Sequence, residues 1–220
     1  MMYVYGIIES LYMTLVSTGI AYLIGIPLGI LLIVLEKPER ETHHIRSRVM
    51  KAAHTSLGFV INVFRSIPFI ILCIALTPLS RAIVGTSIGS TAFIVPLVIG
   101  SVPFIARMVE SSIKEVDYGV VEAAKSMGAS VFQIVWKVYL PEAKPSLLIG
   151  SAITVTTVFG FSAMAGFVGG GGLGAIGINW GLYRWRLDIV LVVVVLSVIL
   201  VQILQEIGMR VAKKVDKRAR

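Results

Sequence analysis

The 220-residue chain has a net charge of +8, is 56% hydrophobic, and carries 15% charged residues against about 25% in soluble domains. A mean hydropathy of +0.90 excludes a water-soluble globular protein and makes lipid the solvent for most of the chain. Basic residues beside membrane spans act as topology signals and anionic-lipid contacts, so the positive balance calls for membrane lipid and for no nucleic-acid partner.

A spanning helix needs about 20 apolar residues. The uncharged runs predict an all-α polytopic membrane protein with five transmembrane helices, near 10–35, 55–79, 86–108, 145–167 and 188–209, in one transmembrane domain over 1–220. No basic n-region and cleavage site precedes the first run, so the first span is expected to be retained. Within it Gly25 and Gly29 flank Pro27, a G-x-x-x-G pair suited to close helix contact. His43, His44 and His54 follow in one connection, without the carboxylate or thiol neighbours of a metal site, and read as a solvated loop.

The second run reaches membrane length only by extending back through Arg65 to about Thr55. That sets Arg65 about 15 Å deep at the helical rise. A guanidinium there costs at least about 2.5–3.5 kcal/mol, which points to a place on a solute path or in a structural ion pair. Cys73, the single cysteine, has no intrachain partner. Pro68 and Pro78 in the second span, and Pro96 and Pro103 in the third, mark kinks that serve packing or gating.

A polar segment at 111–144 interrupts the apolar pattern. Asp117 is placed to cap a helix from Tyr118 to Met127, and Gly128 to end it in the left-handed conformation. Ser130 with Gln133 makes a capping-box pattern for a second helix, with Val131, Ile134, Val135 and Val138 on one stripe. Pro141 is expected to close that helix, and Pro145 to open the fourth span. In the fourth span Thr154, Thr157 and Phe161 share one face, as do Phe161, Met164 and Ala165. That face suits either a solute path or hydrogen bonding between helices with Met as gap-filler. Gly169 to Gly174 formally satisfies G-x-G-x-x-G, yet it follows a span and not a strand, so a turn or close backbone packing is expected.

Lys and Arg crowd the first connection, the polar segment and the tail, while Arg81, Arg184 and Arg186 stand on the other side. The positive-inside rule then places the N-terminus outside and the C-terminus in the cytoplasm, with the polar hairpin inside the cell. No Gly-Lys dipeptide occurs, so no Walker A loop binds nucleotide. No nucleophile–base set or metal-ligand cluster stands in the spans, so no enzyme is expected.

Glu122-Ala123-Ala124, Gly128, Val138 and Leu140-Pro141 are spaced like the cytoplasmic coupling motif of ABC-importer permease subunits, with Val138 where the pattern usually has Ile. The runs 64–69, 84–89, 103–110 and 162–174 resemble the permease subunits of methionine ABC importers, so the likeness covers nearly the whole chain. The resemblance implies a multi-pass subunit of the bacterial inner membrane, and a homodimer with a second copy of the chain. It also implies two ATP-binding subunits that use ATP and Mg, an external methionine-binding protein, and no cofactor on this chain. Coupling would fall to the motif residues Glu122, Ala123, Ala124, Gly128, Val138, Leu140 and Pro141. A gate near Met164, with Phe161, Ser162 and Arg65 along the path, would pass the solute. Methionine rests on the resemblance alone; another amino acid or small nutrient on the same architecture stays open. A secondary transporter, which would need inverted repeats and buried ionisable residues, is the more distant alternative.

Overall fold

The computed structural model describes residues 1–36 and 44–215, and all the regular structure among them is helical. The chain runs through α1 (Met2–Glu36), α2 (His44–Ser66), α3 (Phe69–Ala75), α4 (Thr77–Val84), α5 (Ser90–Lys114), α6 (Tyr118–Ser126) and α7 (Val131–Ile134). It continues through α8 (Leu140–Ser162), α9 (Gly172–Ile176) and α10 (Leu187–Val215). Four helical runs are long and apolar enough to cross a membrane, and a fifth crossing is reached only where α2 and α3, bent sharply against each other, count as one span.

The first helix begins at Met2, ahead of the expected residue 10, because Glu9 does not stop it. The Glu9 carboxylate instead accepts the Gly172 N–H at 2.7 Å, and the Ser10 hydroxyl accepts the Leu173 N–H at 2.9 Å. Two donors that α9 leaves free at its N-terminus are thereby satisfied. The most extensive helix packing joins α1 to α5. It depends on Gly25 and Gly29: a Cβ at Gly25 would fall 2.6 Å from the Ile105 side chain, and one at Gly29 2.6 Å from the Ala106 carbonyl.

The second span is not one helix. It bends by 100° between Ser66 and Phe69. Pro68 explains the bend, since it donates no hydrogen bond and drives Ile67 out of the α region. Pro78, by contrast, sits in the first turn of α4, where its missing N–H costs nothing. The third span starts four residues late, after Gly85 (φ 84°) and Gly89 (φ 100°), and ends six residues late at Lys114.

The expected break at Pro141 does not occur. Residues Val135–Tyr139 form a π-helical turn that joins α7 to α8, and Pro141 lies in the first turn of α8. An i→i+5 ladder rearranges the hydrogen bonds just where proline withdraws an N–H, so the helix passes through. After α8 a 3₁₀ segment, Ala163–Val168, leads into the glycine turn. That turn is a packing device: a Cβ on Gly174 would overlap the Ala163 carbonyl, and one on Gly166 would stand 2.8 Å from Ala175 Cα. The last span, α10, lies against α8, with Gly208 over Ala152.

Candidate docking hairpin and translocation path

The hairpin is built as the local signals require. Asp117 accepts the Gly119 N–H at 2.6 Å, and Ser130 with Gln133 forms both bonds of the capping box. Gly128 adopts φ 80°, and its N–H donates to the Lys125 carbonyl at 2.9 Å. Ala129 N–H reaches the Ala124 carbonyl, so the end of α6 is closed by backbone bonds.

The motif residues divide between two faces. Glu122 and Ala123 are exposed, while Ala124 is buried with Val121 against Val109, Ile113, Ile134, Val135 and Tyr139. Ala124 therefore holds the hairpin to its own bundle rather than admitting a partner. Val131, expected on the apolar stripe with Ile134 and Val135, faces solvent instead. Val138 and Leu140 pack against the inner cluster, and Pro141 is exposed. The exposed face gains Met127, Phe132 and Trp136, with the two rings 6.0 Å apart. Large side chains left bare on a polar hairpin make it a candidate contact surface. Sequence reading passed over this pair, whose signal was its i, i+4 spacing off the apolar stripe.

Phe161 and Met164 come together. With Phe69 and Val168 they pack on a buried cluster of Met13, Cys73, Phe93, Leu97, Val158 and Ala165. The bend at Pro68 lays the Phe69 ring on Phe161, centroids 4.4 Å apart and nearly parallel. Gly100 makes room for it, since a Cβ there would stand 3.0 Å from the Phe69 ring. Ser162 points elsewhere: it is buried, and its hydroxyl donates to the Phe159 carbonyl at 2.7 Å. The threonine hydroxyls are likewise spent inside α8, Thr154 on Gly150 and Thr157 on Ile153.

Below the Phe69–Phe161 stack lies a cavity of about 310 Å³, lined by Phe64, Arg65, Ile67, Phe69, Leu72, Gly100, Phe104 and Phe161. Arg65, on the last turn of α2, is exposed, and its side chain meets no hydrogen-bonding or ion-pair partner among the described residues.

Closer to the hairpin, Glu110 is a buried carboxylate that the sequence reading did not single out. It pairs with Arg107 at 2.7 Å and Lys114 at 2.9 Å, and Lys114 also reaches Glu36 at 2.9 Å. Arg107 donates further to the Gly58 carbonyl and Asn62 Oδ1, which ties α5 to α2. His54 lies within 4.8 Å of Glu36 and Glu110. The expectation of a histidine loop without carboxylates is thus corrected: His54 stands on α2, and the fold supplies the carboxylates from α1 and α5. Lys114 already occupies the place between those carboxylates, so the group closes as an ion network and not as a metal site. His43 lies outside the described residues.

The model of the family described as "Binding-protein-dependent transport system inner membrane component" matches residues 45–219. A relative from Vibrio cholerae serotype O1, named "Probable D-methionine transport system permease protein MetI", is 45% identical over 210 residues, 96% of this chain and 90% of its own. A relative from Salmonella typhimurium, named "D-methionine transport system permease protein MetI", is 47% identical over 161 residues, covering 73% of this chain and 71% of its own. A solved structure described as an inward facing conformation of the MetNI methionine ABC transporter superimposes with a TM-score of 0.90 at 44% identity. The match covers 98% of this chain and 97% of that one.

Proposed function

This chain belongs to the binding-protein-dependent transport system inner membrane components, and from that membership we propose that it is the permease subunit of an ATP-driven methionine importer. The observation that carries the reading is the match, over nearly the full length, to the MetNI structure and to relatives named as D-methionine permeases. Two copies pair in a bacterial inner membrane, two ATP-binding subunits seat on the hairpin end, and an external binding protein delivers methionine at the glycine-turn end. ATP and Mg belong to the ATP-binding subunits.

In this reading Glu122, Ala123, Gly128, Phe132 and Trp136 make the ATPase contact. Ala124, Val138, Leu140 and Pro141 join that contact to the bundle. Phe161 and Met164 close the outer end, as the bent second span holds Phe69 against Phe161. Ser162 supports that gate from inside its helix. Met is suited to a gate because its unbranched chain plugs a gap and yields to small rotations.

Purified permease, reconstituted into proteoliposomes with its ATP-binding subunit and binding protein, is expected to accumulate methionine only with ATP. Equal ATP-dependent accumulation of unrelated amino acids, with none of methionine, would overturn the substrate. Accumulation without the ATP-binding subunit would overturn the class.

A further inference from the structure

We infer that Arg65 anchors the carboxylate of the transported amino acid in the aromatic cavity beneath the Phe69–Phe161 stack; this rests on the importer reading above. The lining residues hold one cation and no anion: Phe64, Arg65, Ile67, Phe69, Leu72, Gly100, Phe104 and Phe161. Among the described residues the guanidinium has no counter-ion of its own, unlike Arg107, which spends its donors on Glu110, Gly58 and Asn62. A charge in a membrane span without an internal partner faces a water-filled cavity and answers to whatever enters it. A planar guanidinium takes a carboxylate through two parallel hydrogen bonds, a geometry lysine does not offer.

The rest of an amino-acid zwitterion also finds its complement. An ammonium group is attracted to the faces of Phe64 and Phe104. The helix end at Ser66, cut short by Pro68, leaves its last carbonyls without N–H partners. A thioether lies favourably against the edges of Phe69 and Phe161. The volume, about 310 Å³, is at the small end for a small-molecule site and suits one amino acid. Position along the chain fits too. Arg65 stands on α2 beyond Gly58 and Asn62, which the Arg107 network holds, and before the Phe69–Met164 seal. The cavity is therefore bounded by a charged layer on one side and an aromatic seal on the other.

The test uses the complete complex of permease and ATP-binding subunits in nanodiscs without binding protein, illuminated with a diazirine analogue of methionine. Label is expected on peptides containing Phe104 or Phe161, and methionine should displace it at least about tenfold better than methionine amide, which lacks the carboxylate charge. Arg65→Gln should cut labelling about tenfold and bring the acid and the amide to within about twofold of each other. Arg65→Lys should keep part of the preference, which separates charge recognition from a folding defect. Full labelling with the preference intact in Arg65→Gln would overturn the inference. So would label that maps away from the cavity, or label abolished in discs of anionic lipid and full in neutral ones, which would assign Arg65 to a headgroup. ATP-driven methionine uptake by the wild type, measured in parallel with binding protein, keeps the two readings apart. Uptake without cavity label sinks the anchor alone, and absence of uptake sinks the importer reading with it.

Discussion

Gly128 carries the tightest conformational demand in the hairpin, with φ at 80° and backbone bonds that close α6. An L-residue there pays about 1–2 kcal/mol. Gly128→Val should therefore lower the thermal midpoint of the purified complex and weaken co-purification of the ATP-binding subunit, whereas Gly128→Asn, which tolerates the left-handed region, should lose much less. Equal behaviour of the two variants would show that the turn geometry is unimportant. At the other end of the molecule Met164 packs, with Phe161 and Phe69, on the buried cluster around Met13 and Ala165. In a Cys73→Ala background, Met164→Cys is expected to cross-link between two copies of the chain, less readily with trapped ATP. Met164→Ala should raise substrate leak while assembly stays intact, and normal sealing in proteoliposomes would make the residue ordinary packing.

At the scale of elements, caps and turns were readable in the sequence because their causes are local. Asp117, Ser130 with Gln133, and Gly128 each act within three residues of themselves, and each does what its chemistry predicts. What escaped reading depends on distant partners. Glu9 looks like the boundary of a span until its carboxylate is seen to hold the backbone of Gly172, 163 residues away. Pro141 looks like a stop until a π turn absorbs it, and Glu110 is unremarkable until Arg107, Lys114 and Glu36 surround it. The four long apolar runs were visible from hydropathy, but not the sharp bend that divides the second expected span between α2 and α3, since apolar residues continue on both sides of Pro68. The orientation expected from the charge distribution is open to direct measurement. In Cys73→Ala cells, Ser130→Cys should be shielded from an impermeant thiol reagent, and Tyr183→Cys, at an exposed turn, should react. The reverse pattern would invert the molecule and detach the hairpin from any cytoplasmic ATPase.

For the whole molecule the decisive question is whether the hairpin surface belongs to a partner. Glu122 is exposed on the hairpin, as are Met127, Phe132 and Trp136. Reversing its charge with Glu122→Lys should leave the fold and the thermal midpoint nearly unchanged, because surface substitutions shift stability by about 0.5 kcal/mol or less. Uptake in proteoliposomes should nonetheless fall at least about tenfold, with ATP hydrolysis either lost or no longer raised by loaded binding protein. Wild-type uptake in this variant would remove Glu122 from the contact. Truncating Trp136 to Ala is the companion measurement: a buried aromatic anchor costs about 2 kcal/mol or more at an interface, read as loss of the ATP-binding subunit during purification.

The π turn at Val135–Tyr139 has a mechanical meaning. Because it carries the helix past Pro141, the chain from Val131 to Ser162 is continuously helical, and the 3₁₀ segment extends it to Met164. A straight helix with as many residues as Phe132 to Met164 measures about 48 Å at the helical rise. A lever of such length amplifies: tilting its foot by about 5° swings the far tip by roughly 4 Å, near the width of one side chain. The chain bent at Pro68 offers no such continuous length, and its residues on both sides of the bend line the cavity instead.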